Sequence, residues 1–252
     1  MPIKRIYAEV SIDEDFKPAF AYISQHKASK VALVTNTHRT VVRVADLTGY
    51  DKRLTQVVQW RLVQENFPFG QLLNENTHIF DGGTFANSAG QKRFMMVALP
   101  KTIADSIAEM GMEKWGSAHK LERLDTIEHV LFRYYADAAN KAYGKAHTDT
   151  HTENPKAQWI VFRQDMGFRI LVLVDCLPHN AHYISNHNEL RESELDRVWH
   201  ESTPSHVVIL TRVSNGDVTA DADSLWLKEF IQGKEATVDN EDYHCLSKFA
   251  AI

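Results

Sequence analysis

The sequence predicts an α/β protein whose mixed β-sheets are covered by helices, and three observations predict it. Short apolar strand-like runs recur in pairs, at residues 31–34 with 40–45 and at 77–80 with 92–99. Each pair is followed by apolar residues at helical spacing. After an irregular polar stretch, the alternation resumes at Gln158.

In chain order, the runs at 31–34 and 40–45 flank the polar segment 35–39 and predict a hairpin. Leu54, Val57, Val58 and Leu62 then mark a helix, which Pro68 ends because the residue before a proline is pushed out of helical geometry. A second hairpin joins 77–80 to 92–99 through the turn-forming residues 81–90. Ile103, Ile107 and Met110 predict one helix, and Leu121, Leu124, Ile127, Leu131 and Tyr134 predict a longer one. Residues 142–156 are polar and irregular and are expected to be a linker or long loop between a first lobe, 1–141, and a second, 157–252. Beyond them, strands are predicted at 158–162, 169–174, 181–185 and 206–210, with helices at 189–200 and 224–232 and a turn at 178–180.

Composition narrows the class. The 252 residues are 44% hydrophobic and 24% charged, with 7 Pro and 11 Gly, a balance that builds a packed core. The net charge of -5, with no cluster of Lys or Arg, argues against nucleic acid or an anionic membrane surface as partner. Cys176 and Cys245 are too few and too far apart to predict a disulfide framework or a zinc site. No run approaches the roughly 18–20 apolar residues of a membrane span, and residues 1–7 lack a signal-like apolar core. The expectation is a cytoplasmic chain, which something else must hold if it works at a membrane.

One segment carries a resemblance. Residues 57–73 (VVQWRLVQENFPFGQLL) run from a helix into a Phe67-Pro68-Phe69 turn followed by a strand pair, and residues 123–131 resemble an inner helix. In this order of elements, from about Lys30 to Val238, the chain resembles the PilM family of type IV pilus assembly and the cytoplasmic domain of the type II secretion protein GspL. The resemblance implies an actin-like, ribonuclease H-like two-lobed fold. It also implies docking to the cytoplasmic tail of an inner-membrane pilus or secretion protein near Phe67, Phe69 and Leu72, and it leaves self-association open.

Actin-like ATPases grip phosphate with Asp-x-Gly turns, whose glycine lets backbone N–H groups approach the anion. In the first lobe the matching turn offers Asn36 and His38 instead of carboxylate and glycine. In the second, Asp165-Met166-Gly167 keeps the pattern, so Asp165 and Gly167 are the residues that would hold ATP with Mg²⁺. After the strand at Val207, only Gly216 is available on the adenosine side. Asp81-Gly82-Gly83-Thr84 follows a helix rather than opening the lobe and is expected to be a hairpin turn.

No catalytic residue and no metal site are assigned. His147, Asp149, His151 and Glu153 belong to the polar stretch, His179, His182 and His187 show no convergence in sequence, and no nucleophile elbow or P-loop occurs. The expected function is a degenerate actin-like scaffold without cofactor. The alternative is an actin-like ATPase or kinase with a weakened nucleotide site.

Overall fold

The computed structural model describes residues 5–11, 23–25, 29–48, 77–115, 119–146, 157–164, 167–186, 189–212 and 222–243. The strands are β1 (Arg5–Ser11), β2 (Ser29–Asn36), β3 (Val41–Asp46), β4 (His78–Ala86), β5 (Lys92–Pro100), β6 (His119–Thr126), β7 (Ala157–Gln164), β8 (Gly167–Val174), β9 (Leu177–Ser185), β10 (Pro204–Arg212) and β11 (Thr237–Tyr243). The helices are α1 (Lys101–Trp115), α2 (Ile127–Ala146), α3 (Arg191–Glu201) and α4 (Ala222–Ile231).

The strands form three sheets, ordered β1-β2-β6, β3-β5-β4 and β11-β10-β7-β8-β9. The largest is mixed: β7, β8 and β9 run antiparallel, and β10 and β11 continue parallel to β7. Its inner strands β7, β8 and β10 are apolar on both faces, as strands covered on both sides require. Ile160, Phe162, Leu171 and Leu173 pack with Ile127, Val130 and Leu131 of α2. Their neighbours Trp159, Val161, Ile170 and Val172 pack with Leu195, Val198 and Trp199 of α3 and with Leu227 and Ile231 of α4. Period-2 alternation thus divides one apolar strand between two helix layers. Each fully buried side chain of this size contributes roughly 1.5–3 kcal/mol. A third cluster packs Ile103 and Ile107 of α1 on Val31, Leu33 and Leu99.

Several expectations are corrected. β2 and β3 do not form a hairpin: both edges of β2 are taken by parallel partners, β1 and β6, and β3 pairs with β5. The longer helix starts at Ile127 rather than Leu121, because 119–126 pairs with β2 as strand β6. The inner-helix reading of 123–131 therefore holds from Ile127 onward only. Thr126 sits just before α2, and its Oγ1 accepts a bond from His129 N at 3.4 Å, as an N-cap does.

Asp81–Thr84 is not a turn. It lies inside β4 in register with Val97, Met96, Met95 and Phe94, and the turn falls at Asn87–Gly90. Gly82 is there because a Cβ would stand 2.6 Å from the Phe94 ring and 2.8 Å from the Met95 carbonyl. The turn expected at 178–180 is displaced to Asp175-Cys176, both at positive φ (55° and 63°), a two-residue connection between β8 and β9. β11 was not expected, since Thr-Val-Asp-Asn-Glu-Asp-Tyr shows no apolar alternation. Helix α2 continues to Ala146, into the 142–156 stretch, and 147–156 lie outside the described residues.

Candidate functional site

The turn after β2, where Asn36 and His38 replace the expected carboxylate and glycine, lies against the end of β7, next to the Asp165–Gly167 segment, of which Asp165 and Met166 are outside the described residues. In this first turn Thr35 and Asn36 are buried and lead into Thr37, His38, Arg39 and Thr40. The second expected turn joins β7 to β8, whose last pair is Gln164 with Gly167. Asn36 Nδ2 reaches Arg163 O at 3.5 Å, and Gln164 Nε2 donates to Thr37 O at 3.2 Å.

Between the turns lies Arg169, the one charged side chain of the apolar strand β8. Its Nη2 donates to His38 O at 3.1 Å and to Thr40 O at 3.0 Å, and its Nε to Gln164 Oε1 at 3.1 Å. Arg169 Nε also stands 3.3 Å from Glu128 Oε1, in the first turn of α2. Gln164 Nε2 donates to that same oxygen at 3.1 Å. Tyr183 covers the guanidinium at 5.5 Å and stacks on His38 at 5.4 Å. Burial pushes the Glu128 carboxyl above its ordinary range, with Arg169 acting against that shift.

Chemically, this is a cation held by two carbonyls, an amide and a carboxylate. The first turn's carbonyls point to Arg169, and a group that receives carbonyls must itself be a donor.

Of the expected site residues, Gly167 is described and Asp165 lies outside the described residues, as do Phe67, Phe69 and Leu72. A Cβ at Gly167 would stand 2.1 Å from the Ile184 carbonyl, so backbone packing between β8 and β9 accounts for glycine here. His179 and His182 are placed on β9, where His179 Nδ1 pairs with Arg93 Nη1 at 3.3 Å. His187 and the 147–153 group lie outside the described residues. Glu128, Gln164 and Arg169 were missed. The available signal was a lone arginine in an otherwise apolar strand.

A cavity of about 440 Å³ lies elsewhere, lined by Tyr134, Tyr135 and Ala138 of α2 and by His206, Asp239 and Glu241 of β10 and β11. Tyr135 donates its hydroxyl to Glu241 Oε2 at 3.0 Å there, and burial and the Glu241 carboxylate both raise its pKa.

The fold defines an actin-like α/β protein. Among solved structures, the chain is similar to the PilM–PilN type IV pilus biogenesis complex, with a TM-score of 0.51 and 11% identity over 84% of this chain and 69% of that one. It is also similar to the cytoplasmic domain of EpsL, an inner-membrane component of the type II secretion system of Vibrio cholerae, with a TM-score of 0.51 and 8% identity over 98% of this chain and 92% of that one. A Bacteroides thetaiotaomicron protein of actin-like ATPase fold and unknown function aligns over 92% of this chain and 78% of its own, at 11% identity and a TM-score of 0.47. No protein-family model matches the sequence, and no curated protein matches it. The expected resemblance to PilM and to the GspL cytoplasmic domain is met as a likeness of fold, while residues 57–73 lie outside the described residues. Among the described residues, no helix is long and apolar enough to cross a membrane.

Proposed function

We propose that this chain is a non-hydrolysing actin-like scaffold that docks to the cytoplasmic tail of an inner-membrane component of a type IV pilus or type II secretion assembly. The observation that carries the reading is the Arg169–Glu128 pair, which takes up the carbonyls of the turn after β2 in buried bonds, whereas an ATPase would keep N–H donors open to phosphate. The likeness to PilM, a protein found in complex with PilN, and to cytoplasmic EpsL supports the choice of machinery. The chain would stay cytoplasmic and reach the membrane through its partner. A short peptide packing in a groove or adding to a sheet edge supplies the physics of docking, with Phe67, Phe69 and Leu72 as the residues to test first.

Calorimetric titration of the full chain with Mg·ATP tests the cofactor side. No saturable binding up to millimolar nucleotide is expected. Micromolar binding that Asp165→Ala removes would overturn the scaffold reading in favour of an actin-like ATPase or kinase. For the partner side, fluorescence anisotropy with peptides from the cytoplasmic tails of inner-membrane pilus and secretion proteins should show saturable binding that Phe67→Ala weakens. Binding to none of them would remove the docking reading.

A further inference from the structure

Asp81, Asp125 and His129 take no part in the Arg169–Glu128 network. They come from three elements: Asp81 from β4, Asp125 from the end of β6 and His129 from the first turn of α2. One carboxylate oxygen of each aspartate and one ring nitrogen of His129 lie within 4.8 Å of one another. Asp81 Oδ2 is 3.5 Å from His129 Nδ1. Two donors each about 2.1 Å from a tetrahedral ion stand about 3.4 Å apart, so this pair has the separation of two donors sharing an ion.

A second observation is independent of that spacing. Asp125 is 3% exposed, Arg123 Nε takes its Oδ2 at 2.6 Å, and its buried Oδ1 has no hydrogen-bond partner. An unsatisfied buried oxygen is costly to the fold, and a bound cation would offset that cost. The surroundings also orient the donors. Gly82 N donates to Asp81 Oδ1 at 2.8 Å, leaving Oδ2 toward the imidazole, and Arg123 restricts Asp125 to one free oxygen.

We propose that Asp81, Asp125 and His129 bind a divalent transition-metal ion of the Zn²⁺ class. The imidazole argues against Ca²⁺ and Mg²⁺, which take all-oxygen sets, whereas two carboxylates and one nitrogen suit borderline ions. Three protein donors leave a position for water or for a group from a partner. Asp81, with its side chain 57% exposed, provides the entry path.

The test uses the full untagged chain, stripped with EDTA and titrated calorimetrically with ZnCl₂ and, separately, with MgCl₂. One equivalent of Zn²⁺ is expected at micromolar affinity, with Mg²⁺ at least tenfold weaker and Tm raised by Zn²⁺. Asp81→Asn and His129→Gln should each weaken Zn²⁺ at least tenfold. Asp81→Asn is the decisive variant, because its exposed side chain can change without unfolding the protein, and circular dichroism verifies that it has. A double His147→Gln/His151→Gln variant should bind as wild type does. Absence of saturable Zn²⁺ binding, unchanged affinity in folded Asp81→Asn, or loss of binding in the double histidine variant would overturn the proposal.

Discussion

Arg169 Nε lies 3.3 Å from Glu128 Oε1, and neither side chain has appreciable access to water, at 5% and 0% exposure. The pair ties the first turn of α2 to strand β8 of the largest sheet. Three further hydrogen bonds, two from Arg169 and one from Gln164, extend it to the turn after β2.

Arg169→Met should therefore destabilise the protein by about 3–5 kcal/mol, because it strands a buried carboxylate. Adding Glu128→Gln should restore a large part of that loss. Urea denaturation of the two single variants and the double variant gives the coupling directly. Losses that simply add would show that the two groups stabilise the fold separately.

Gly167→Ala and Gly90→Ala should separate two reasons for glycine. At Gly167 the added carbon meets the Ile184 carbonyl at 2.1 Å, and two paired strands must part, at a cost of about 1–3 kcal/mol. At Gly90 nothing lies within 4 Å and only the φ of +82° is strained, for about 1 kcal/mol. Thermal unfolding of both should rank Gly167→Ala as the more damaging.

Stability should fall on acidification through His182. Burial, joined by Arg197, His179 and Arg169 and opposed by Glu201, lowers its pKa to about 4 from an ordinary 6.5. Between those values the unfolded chain binds the proton and the folded chain does not, so stability is full above about 6.5 and declines as pH drops toward 4. The full displacement is worth about 3 kcal/mol, and part exposure of the ring reduces it to about 1–2 kcal/mol. Denaturation midpoints at pH 7.5 and pH 4.5 should differ less in His182→Gln than in wild type. Equal differences would assign the acid sensitivity to other groups.

Trp159→Phe should cost about 2–3 kcal/mol. The indole Nε1 donates to Ser202 O at 3.0 Å and to Ser202 Oγ at 3.1 Å, and the ring packs edge-on against Trp199 at 5.3 Å. Phenylalanine removes the donor and leaves a void beside Trp199. Chemical denaturation measures the loss, and a cost under 1 kcal/mol would mean that α3 closes onto the smaller ring.

Strands β2, β7, β8 and β10 were readable because runs such as Val31-Ala32-Leu33-Val34 and Val207-Val208-Ile209-Leu210 carry their own preference for extended, buried backbone. Residues 119–126 were not, because Leu121 and Leu124, three positions apart, fit a helical spacing and not the alternation of a strand. The choice was made by a distant partner, β2, which accepts them in parallel register. β11 had still less local signal, and its residues Thr237 to Tyr243 are extended because they follow β10 residue by residue.

The same division runs through the candidate site. Composition and apolar periodicity were sufficient for the α/β class, for the helices near 103–110 and 189–200, and for the departure of Asn36 and His38 from an Asp-x-Gly turn, since each of these is written in neighbouring residues. Glu128, Gln164 and Arg169 belong to no chemical motif in sequence, nor do Asp125 and His129, and Asp81 was read only as part of a turn; the members of each cluster are separated by as much as 48 positions. They became two clusters only when packing of α2 between sheets placed them within hydrogen-bonding or ion-sharing distance. Electrostatic and coordination energies depend on distance through space, and chain spacing does not record it.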